Sequence, residues 1–252
     1  MLAPTQRFSN RVENYVRYRP GYPTEVLELL RTDCGLNSAS VVADIGSGTG
    51  KFTELLLQSG CHVFGVEPNQ EMREAGERLL KSHPRFTSVA ATAEATTLPD
   101  RSADLIVAGQ AFHWFDRERS REEFVRILKP RGWVALIWND RRTGSTPFLA
   151  AYEALLREFA TDYEQVNHRN IDEAMLRQFF HAEPKLRRFP YSQQFDFVGL
   201  KGRLLSSSYA PEQGQPKHEA MLGELRRIFD AHQQGGRVAF DYDTLVYYGQ
   251  LR

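Results

Sequence analysis

The chain has 252 residues, of which 41% are apolar, and its 32 basic and 32 acidic residues give a formal net charge of zero. A chain of this length can bury a substantial core and is most simply a single α/β domain spanning residues 1–252. Because the charges balance, we expect no strong electrostatic field for nucleic acid or for an anionic membrane. The composition therefore favours a small-molecule partner over either of these, and it indicates no oligomeric state.

The cysteines and the N-terminus indicate where such a chain works. Only Cys34 and Cys61 are present, so no disulfide framework is predicted. Residues 1–7 lack the apolar core of a signal peptide, and no apolar run approaches the length of a membrane span. We therefore expect a soluble protein of the reducing cytoplasm.

Apolar spacing predicts a helix over residues 24–30, followed by alternating strands and helices. The predicted strands lie at about residues 40–45, 62–67, 86–91, 103–109 and 132–138, and the predicted helices near 51–59, 69–82 and 117–128. This alternation predicts an α/β fold with a doubly wound, mostly parallel sheet and right-handed crossovers. Ligands of such sheets bind at the carboxyl ends of the strands.

The alternation stops after residue 140, where residues 147–182 are predicted as a helical insertion. One face of it is rich in aromatic residues. That face either packs in a core or lines an acceptor pocket under a lid, with Phe148 and Tyr152 as the pocket residues. The last elements predicted are a strand near 186–197, a helix near 212–234, and a strand pair or single bent strand over 237–248.

The strand over residues 41–45 leads into a turn with three alternate glycines, Gly46, Gly48 and Gly50. Glycine tolerates positive φ and leaves the main chain uncovered, so a nucleotide-like ligand can lie against this turn. Dinucleotide-binding dehydrogenases use the pattern G-x-G-x-x-G, whose third glycine falls at Lys51 here. The spacing therefore speaks against that class.

Glu67 ends the second predicted strand, about twenty residues beyond the first glycine. A carboxylate at this position can accept hydrogen bonds from both ribose hydroxyls of an adenosine. Dehydrogenases and other adenosine-binding enzymes share this need, so Glu67 predicts an adenosine ligand without choosing between the classes.

The run from Asp44 to Gly50, followed by Gly65-Val66-Glu67-Pro68-Asn69, resembles the first two motifs of class I S-adenosylmethionine-dependent methyltransferases. Further matching segments are Ala93-Glu94 with Leu98-Pro99, and Asp104 to Gln110, which resemble the loop after the third strand and the fourth strand. The segments Tyr15 to Pro23 and Gln110 to Phe115 are similar to a small-molecule group that includes the trans-aconitate methyltransferases. The resemblance covers roughly residues 8 to 140 and implies a seven-stranded, Rossmann-like sheet whose last strand is antiparallel.

The resemblance implies S-adenosylmethionine as the cofactor, with an N-terminal segment of about residues 8–35 covering it. The residues implied to bind it are Tyr15, Arg19, Asp44, Gly46, Ser47, Gly48, Gly50, Glu67, Pro68, Ala93, Glu94 and Gln110. Arg19 either pairs with the cofactor's carboxylate or forms a surface salt bridge.

Methyl transfer mainly requires alignment of two reactants, so no catalytic triad is needed. His113 follows the fourth strand and is the candidate general base, because its unperturbed pKa suits proton removal near neutral pH; the alternative is that it only shapes the pocket. Trp114 either contacts the acceptor or the sulfonium, or packs in the core. Arg141 and Arg142 follow the fifth strand, where they either hold an acidic acceptor or are solvated.

We predict a methyltransferase acting on an oxygen of a carboxylate or hydroxyl of a small molecule. No metal is expected, because the ligand set of the metal-dependent methyltransferases is incomplete. The Asn/Asp-Pro-Pro-Tyr motif of enzymes that methylate nucleobase or glutamine nitrogens is absent after the fourth strand. The alternatives are an NAD-dependent oxidoreductase and a non-catalytic protein that binds S-adenosylmethionine.

Overall fold

The computed structural model describes residues 11–163 and 172–251. Residues 8–10 of the expected N-terminal covering segment and residues 164–171 of the expected insertion lie outside the described residues. The elements follow in the order α1 Val12–Tyr18, α2 Thr24–Cys34, β1 Val41–Ile45, α3 Lys51–Leu57, β2 His62–Val66, α4 Gln70–Leu80, β3 Phe86–Val89, β4 Ala103–Gly109, α5 Arg117–Ile127, β5 Leu128–Arg141, α6 Pro147–Phe159, α7 Glu173–Phe180, β6 Lys185–Phe195, α8 Phe197–Leu205, α9 His218–His232 and β7 Val238–Gly249.

The described strands form one seven-stranded sheet in the order β3-β2-β1-β4-β5-β7-β6. Neighbours from β3 to β5 are parallel, whereas β7 pairs antiparallel with both β5 and β6. The chain runs outward from β1 to β3 and then returns to β4 on the other side of β1. Ligands of such sheets bind where the strand order reverses, which here is between β1 and β4. The predicted fold, including the antiparallel last strand, is confirmed.

Apolar residues of the central strands alternate between the two faces of the sheet. Val42 and Leu105 pack with α2 and α3, whereas Ala43 and Ile106 pack with α5 and α7. Burial on both faces explains why the strand sequences are almost continuously apolar.

A third apolar cluster joins α6, α8 and α9 to the ends of β6 and β7; we call these three helices the helical cover. The predicted insertion over 147–182 is therefore divided, because α6 belongs to the cover while α7 packs on the sheet through Leu176 and Phe179. No helix was predicted at α8, whose glycines lower helical propensity. The Asp196 carboxylate nevertheless caps it by accepting the Gly199 N–H at 2.7 Å.

The N-terminal segment is fixed to the sheet and to the loop after α8. Lys51 Nζ donates to the Val16 carbonyl at 2.7 Å, and Arg11 donates to the Ser207 carbonyl at 2.7 Å. Asn139, near the end of β5, donates to the Gly21 carbonyl at 2.8 Å, and its own side-chain oxygen accepts the Thr244 hydroxyl at 2.7 Å. A buried strand-to-strand hydrogen bond thereby orients the amide that holds the N-terminal segment.

Replacing Thr244 by valine conserves the shape but leaves the buried Asn139 oxygen without its donor. We expect the free energy of unfolding to fall by about 1–3 kcal/mol, measured by urea denaturation. The control is Thr87→Val on the outer strand β3, where the hydroxyl contacts His62 at a partly exposed position, and where we expect a change within about 0.5 kcal/mol. Equal effects of the two substitutions would contradict the role given to Thr244.

Candidate functional site

A cleft of about 270 Å³ opens at the carboxyl ends of the strands. Its wall includes Glu94 after β3, Glu67 after β2, Asp44 at β1, Gln110 after β4 and Tyr242 on β7. Five strand spacings separate β3 from β7, so the cleft crosses roughly 24 Å of the sheet edge. The cleft therefore extends past β1 and β4 to the ends of β5 and β7.

Most of the residues implied by the resemblance lie on this wall. The predicted residues that line the cleft are Tyr15, Arg19, Asp44, Gly46, Ser47, Gly48, Glu67, Pro68, Ala93, Glu94, Gln110, His113 and Trp114. Residues of the wall that were not predicted include Tyr22, Tyr163, Arg203, Tyr209 and Tyr242.

The turn after β1 requires left-handed backbone at all three glycines, with φ of 70° at Gly46, 57° at Gly48 and 83° at Gly50. A Cβ at Gly46 would lie 2.4 Å from the Ala111 Cβ, so this glycine allows the turn after β1 to contact the loop after β4. The main chain of the turn remains uncovered on the side of the cleft.

Gly50 was predicted in the cofactor site with Gly46 and Gly48, but unlike them it does not line the cleft. It lies behind the turn, where a Cβ would be 2.6 Å from the Leu80 side chain of α4. Its positive φ and the absence of a side chain allow α3 to begin close to α4. The spacing of the glycines marks the turn but does not tell which of them faces a ligand.

The Asp44 carboxylate is buried at the start of this turn. One oxygen, Oδ2, accepts the Thr53 hydroxyl at 2.6 Å, whereas Oδ1 has no hydrogen-bond partner among the described residues. Burial raises the pKa of Asp44 to about 7, and the hydrogen bond from Thr53 partly opposes that shift. A buried acceptor atom of this kind fits a cationic donor.

The Glu67 carboxylate is held by backbone N–H groups on both sides. Its Oε2 accepts from Gly48 at 2.9 Å and its Oε1 from Asn69 at 2.8 Å. Burial raises the pKa of Glu67, and these backbone hydrogen bonds and Arg73 oppose the shift. Each oxygen keeps a lone pair for a further donor, so the fixed carboxylate fits a diol.

Arg141 and Arg142, which the sequence leaves equivalent, have opposite surroundings. Arg142 is exposed and pairs with Asp243 at 2.7 Å. Arg141 is 9% exposed, lines the cleft, and donates to Glu153 at 2.5 Å and to the Tyr163 hydroxyl at 3.0 Å. The alternation of β5 places one of these neighbours inside the site and the other in solvent.

Two further arginines line the cleft and form, with Arg141, what we call the arginine cluster: Arg19, Arg141 and Arg203. Arg19 donates to the Ser206 carbonyl at 3.1 Å. Burial lowers the pKa of Arg19, and the nearby positive charge of Arg203 lowers it further. Arg203 is 6% exposed and donates to the hydroxyls of Tyr242 and Ser207, each at 3.2 Å.

Tyr209 follows α8 and lies against the arginine cluster. Burial alone would raise the pKa of its hydroxyl, but the charges of Arg203, Arg19 and Arg141 outweigh burial and lower it. Arg203 and Tyr209 were missed because no motif marks them and because α8 itself was not predicted.

Phe148 and Tyr152 do not line the cleft, so their assignment to the acceptor pocket is corrected. Both belong to the apolar cluster of the helical cover, where the Tyr152 ring lies 4.9 Å from that of Phe240. His113 and Trp114 belong to a short 3-10 helix, Phe112–Trp114, and both line the cleft, with ring centroids 4.6 Å apart. Of the predicted acceptor residues, these two therefore remain on the wall.

Within residues 11–163 and 172–251, no group of three or more His, Cys, Asp or Glu side chains is arranged to hold a metal ion. Nor is any helix in these ranges both long and apolar enough to span a membrane.

The chain resembles known methyltransferases in sequence and in structure. Residues 43–136 match the methyltransferase domain family. An uncharacterized methyltransferase-like protein of Schizosaccharomyces pombe is 28% identical over 95% of this chain and 93% of its own length. The malonyl-[acyl-carrier protein] O-methyltransferase of a Marinomonas species is 32% identical, over 56% of this chain and 53% of its own length.

A solved structure with the same fold is that of a "putative type II methyltransferase" of Anaeromyxobacter dehalogenans. It is 21% identical, covers 93% of this chain and 98% of its own length, and has a TM-score of 0.67. The domain match covers the strands whose ends build the glycine turn and the Glu67 carboxylate, and the relatives share the name methyltransferase. The domain match, the relatives and the shared fold together support a class I S-adenosylmethionine-dependent methyltransferase.

Proposed function

We propose that this methyltransferase acts on a small molecule and methylates an oxygen atom, either of a carboxylate or of a hydroxyl. The observation that carries the proposal is the extent of the cleft, which continues past β1 and β4 to the arginine cluster and Tyr242. Most of the residues implied for the cofactor lie in the N-terminal segment and at the ends of β1 to β4, so the part of the cleft around Arg141, Arg203 and Tyr242 is available for the acceptor. Its lining of arginine and tyrosine suits an oxygen-rich, acidic molecule.

The residues present fit the cofactor. The unpartnered Oδ1 of Asp44 would hold the amino group of the methionine part, and Arg19 its carboxylate. Glu67 would accept hydrogen bonds from the ribose hydroxyls. The uncovered backbone of the glycine turn leaves room for the part of the cofactor that links the ribose to the methionine end. The adenine would lie beside Ala93 and Pro68, which line the same end of the cleft.

When bound, S-adenosylmethionine supplies a methyl group on positively charged sulfur, so that a lone pair of the acceptor oxygen forms the C–O bond while the C–S electron pair leaves on sulfur. Residues of the cleft need mainly to align the acceptor, an effect worth roughly 7–11 kcal/mol. A carboxylate reacts without losing a proton. For a hydroxyl acceptor, His113 would take the proton, as the histidine on the wall after β4.

Two similarities support an oxygen acceptor. One relative carries the name O-methyltransferase, and the N-terminal segment and the loop after β4 resemble a group that includes the trans-aconitate methyltransferases. An NAD-dependent oxidoreductase is not favoured, because the third glycine of its turn and a Tyr-x-x-x-Lys pair are absent.

The function is tested by incubating the protein with S-adenosylmethionine and a panel of carboxylic acids, including trans-aconitate, with phenols and with amines. Mass spectrometry should detect a product heavier by one methyl group from an acid or a hydroxyl compound. Methylation of amines alone would contradict the proposed oxygen acceptor.

The raised pKa of Asp44 predicts a pH dependence of cofactor binding. Because the ionised carboxylate binds the amino group, affinity for S-adenosylhomocysteine should rise about five- to tenfold from pH 6 to pH 7.5, as the ionised fraction of a group with pKa about 7 increases. Calorimetry measures this. The Asp44→Asn variant should bind S-adenosylhomocysteine weakly and with little pH dependence. The control ligand 5′-methylthioadenosine lacks the amino group, so its binding to the wild type should not depend on pH in this way.

The same shift affects the stability of the ligand-free protein. The pKa of Asp44 in the folded state lies above that of an aspartate in the unfolded chain, which is near 3.9. As the pH rises, the unfolded chain therefore loses this proton at a lower pH than the folded protein. The free energy of unfolding should therefore fall, relative to Asp44→Asn, as the pH rises from about 4 to about 7. A parallel pH dependence of the two proteins would contradict this.

Gly46→Ala should weaken S-adenosylhomocysteine binding at least about tenfold, because a side chain at positive φ costs about 1–2 kcal/mol and the new Cβ would clash with Ala111. The melting temperature should fall as well. The matched control is Gly223→Ala on α9, where a Cβ would meet no atom within 4 Å; it should leave binding unchanged. If Gly46→Ala bound S-adenosylhomocysteine as tightly as the wild type, the close contact between the turn after β1 and the loop after β4 would be excluded.

His113→Gln separates the two kinds of acceptor. If the panel identifies a hydroxyl acceptor, kcat should fall by about two to four orders of magnitude, with S-adenosylhomocysteine affinity retained. With a carboxylate acceptor, the loss should stay below about tenfold. A small loss with a hydroxyl acceptor would show that His113 is not the base.

A further inference from the structure

The arginine cluster carries more positive charge than its described neighbours neutralise. Glu153 pairs with Arg141 at 2.5 Å. Arg19 and Arg203 donate only to carbonyl and hydroxyl oxygens, and no carboxylate among the described residues pairs with either. Arg203 is buried and Arg19 is half-buried, and the positive charge of Arg203 acts on Arg19.

Burying a charge without an opposite charge is costly, so a ligand of opposite sign that binds beside it removes part of that cost. If Arg19 pairs with the carboxylate of the cofactor, as the proposed function assumes, that partner neutralises one of the two. Arg203 then keeps its charge in the cofactor complex. An anion arriving with the acceptor is the partner that remains.

The geometry around Arg203 limits what it can bind. Its Nε and Nη1 are directed to Tyr242 and Ser207, and its guanidinium lies 5.4 Å from the Phe240 ring centre. The side chain is thus fixed by β7 and by the loop after α8, which leaves the Nη2 donor for a ligand. A guanidinium held rigidly in this way favours a carboxylate over a diffuse anion.

Tyr209 supports an anion at the same place. Tyr209 lines the cleft, its ring lies 4.9 Å from that of Tyr163, and its lowered pKa reflects the positive charges of the three arginines. The same field attracts any anion that enters the cleft. A protonated Tyr209 can also donate a hydrogen bond to it.

We infer that Arg203 binds a carboxylate of the acceptor, and that this carboxylate is a different group from the oxygen that is methylated. The second part follows from charge. Methyl transfer removes negative charge from the attacking oxygen, so an arginine bound to that oxygen would stabilise the ground state more than the transition state. The acceptor is therefore an acid with at least one further oxygen function, and Arg203 is a specificity-determining residue. This inference rests on the proposed function.

The test uses the full chain saturated with S-adenosylhomocysteine, whose binding is measured first. Calorimetry then follows the binding of malonate, succinate, glutarate and citrate, and of the uncharged analogues malonamide and succinamide. At least one acid should bind the wild type while the amides do not. Arg203→Gln should weaken the binding of that acid about ten- to a hundredfold. Its affinity for S-adenosylhomocysteine should stay within about twofold of the wild type.

Two further variants keep the test decisive if Arg203→Gln does not fold. Arg203→Lys keeps the charge but loses the planar fork, so it should bind the acid with an affinity between wild type and Arg203→Gln. Tyr209→Phe should weaken the binding of the acid by less than about tenfold. The matched control is Arg226→Gln on the exposed side of α9, where Arg226 pairs with Asp230 at 2.8 Å; acid binding should not change.

Failure of this inference is distinguishable from failure of the proposed function. If S-adenosylhomocysteine binds but no acid does, if the amides bind as well as the acids, or if Arg203→Gln and Arg203→Lys bind the acid like the wild type, the role of Arg203 is overturned. If S-adenosylhomocysteine itself does not bind the wild type, the assignment of the cleft fails first.

Discussion

The site depends on the left-handed backbone of the turn after β1, which only glycine adopts at low cost. At Gly46 this conformation allows the turn to touch Ala111 in the loop after β4, so two strand ends approach closely. At Gly48 it directs a backbone N–H to the Glu67 carboxylate after β2. Three neighbouring strands are thereby connected through one main-chain turn, and the carboxylates that flank it keep fixed positions.

Buried charge is the second feature that connects the structure to its chemistry. Asp44 keeps one carboxylate oxygen without a partner among the described residues, and the arginine cluster has one described carboxylate partner, Glu153. Unpaired buried charges lower stability, since desolvation is not offset. Ligands that carry the opposite charges remove that cost as they bind. These charges are the reason for proposing that the cleft binds a cofactor with both cationic and anionic groups and an acidic acceptor.

The two halves of the cleft come from different parts of the chain. Strand ends before residue 111 supply the part that matches the family, whereas the end of β5, α8 and β7 supply the part around Arg203. The N-terminal segment connects them, because Arg11 and Arg19 donate to carbonyls of the loop after α8. The proposed cofactor part and the proposed acceptor part of the cleft are thus held together by the N-terminal segment.

The sequence by itself determined the features that depend on local pattern. Alternating strands and helices predicted the doubly wound, mostly parallel sheet, whereas its strand order came from the structure. The acidic residues near two strand ends identified Asp44 and Glu67, because ligands of such sheets bind where parallel strands end. Helical periodicity identified the buried face of α6, but only the tertiary structure showed that the helical cover, and not the cleft, buries Phe148. Arg203 carries no local signal at all. Its place depends on long-range packing of α8 against β7, which residue spacing does not encode.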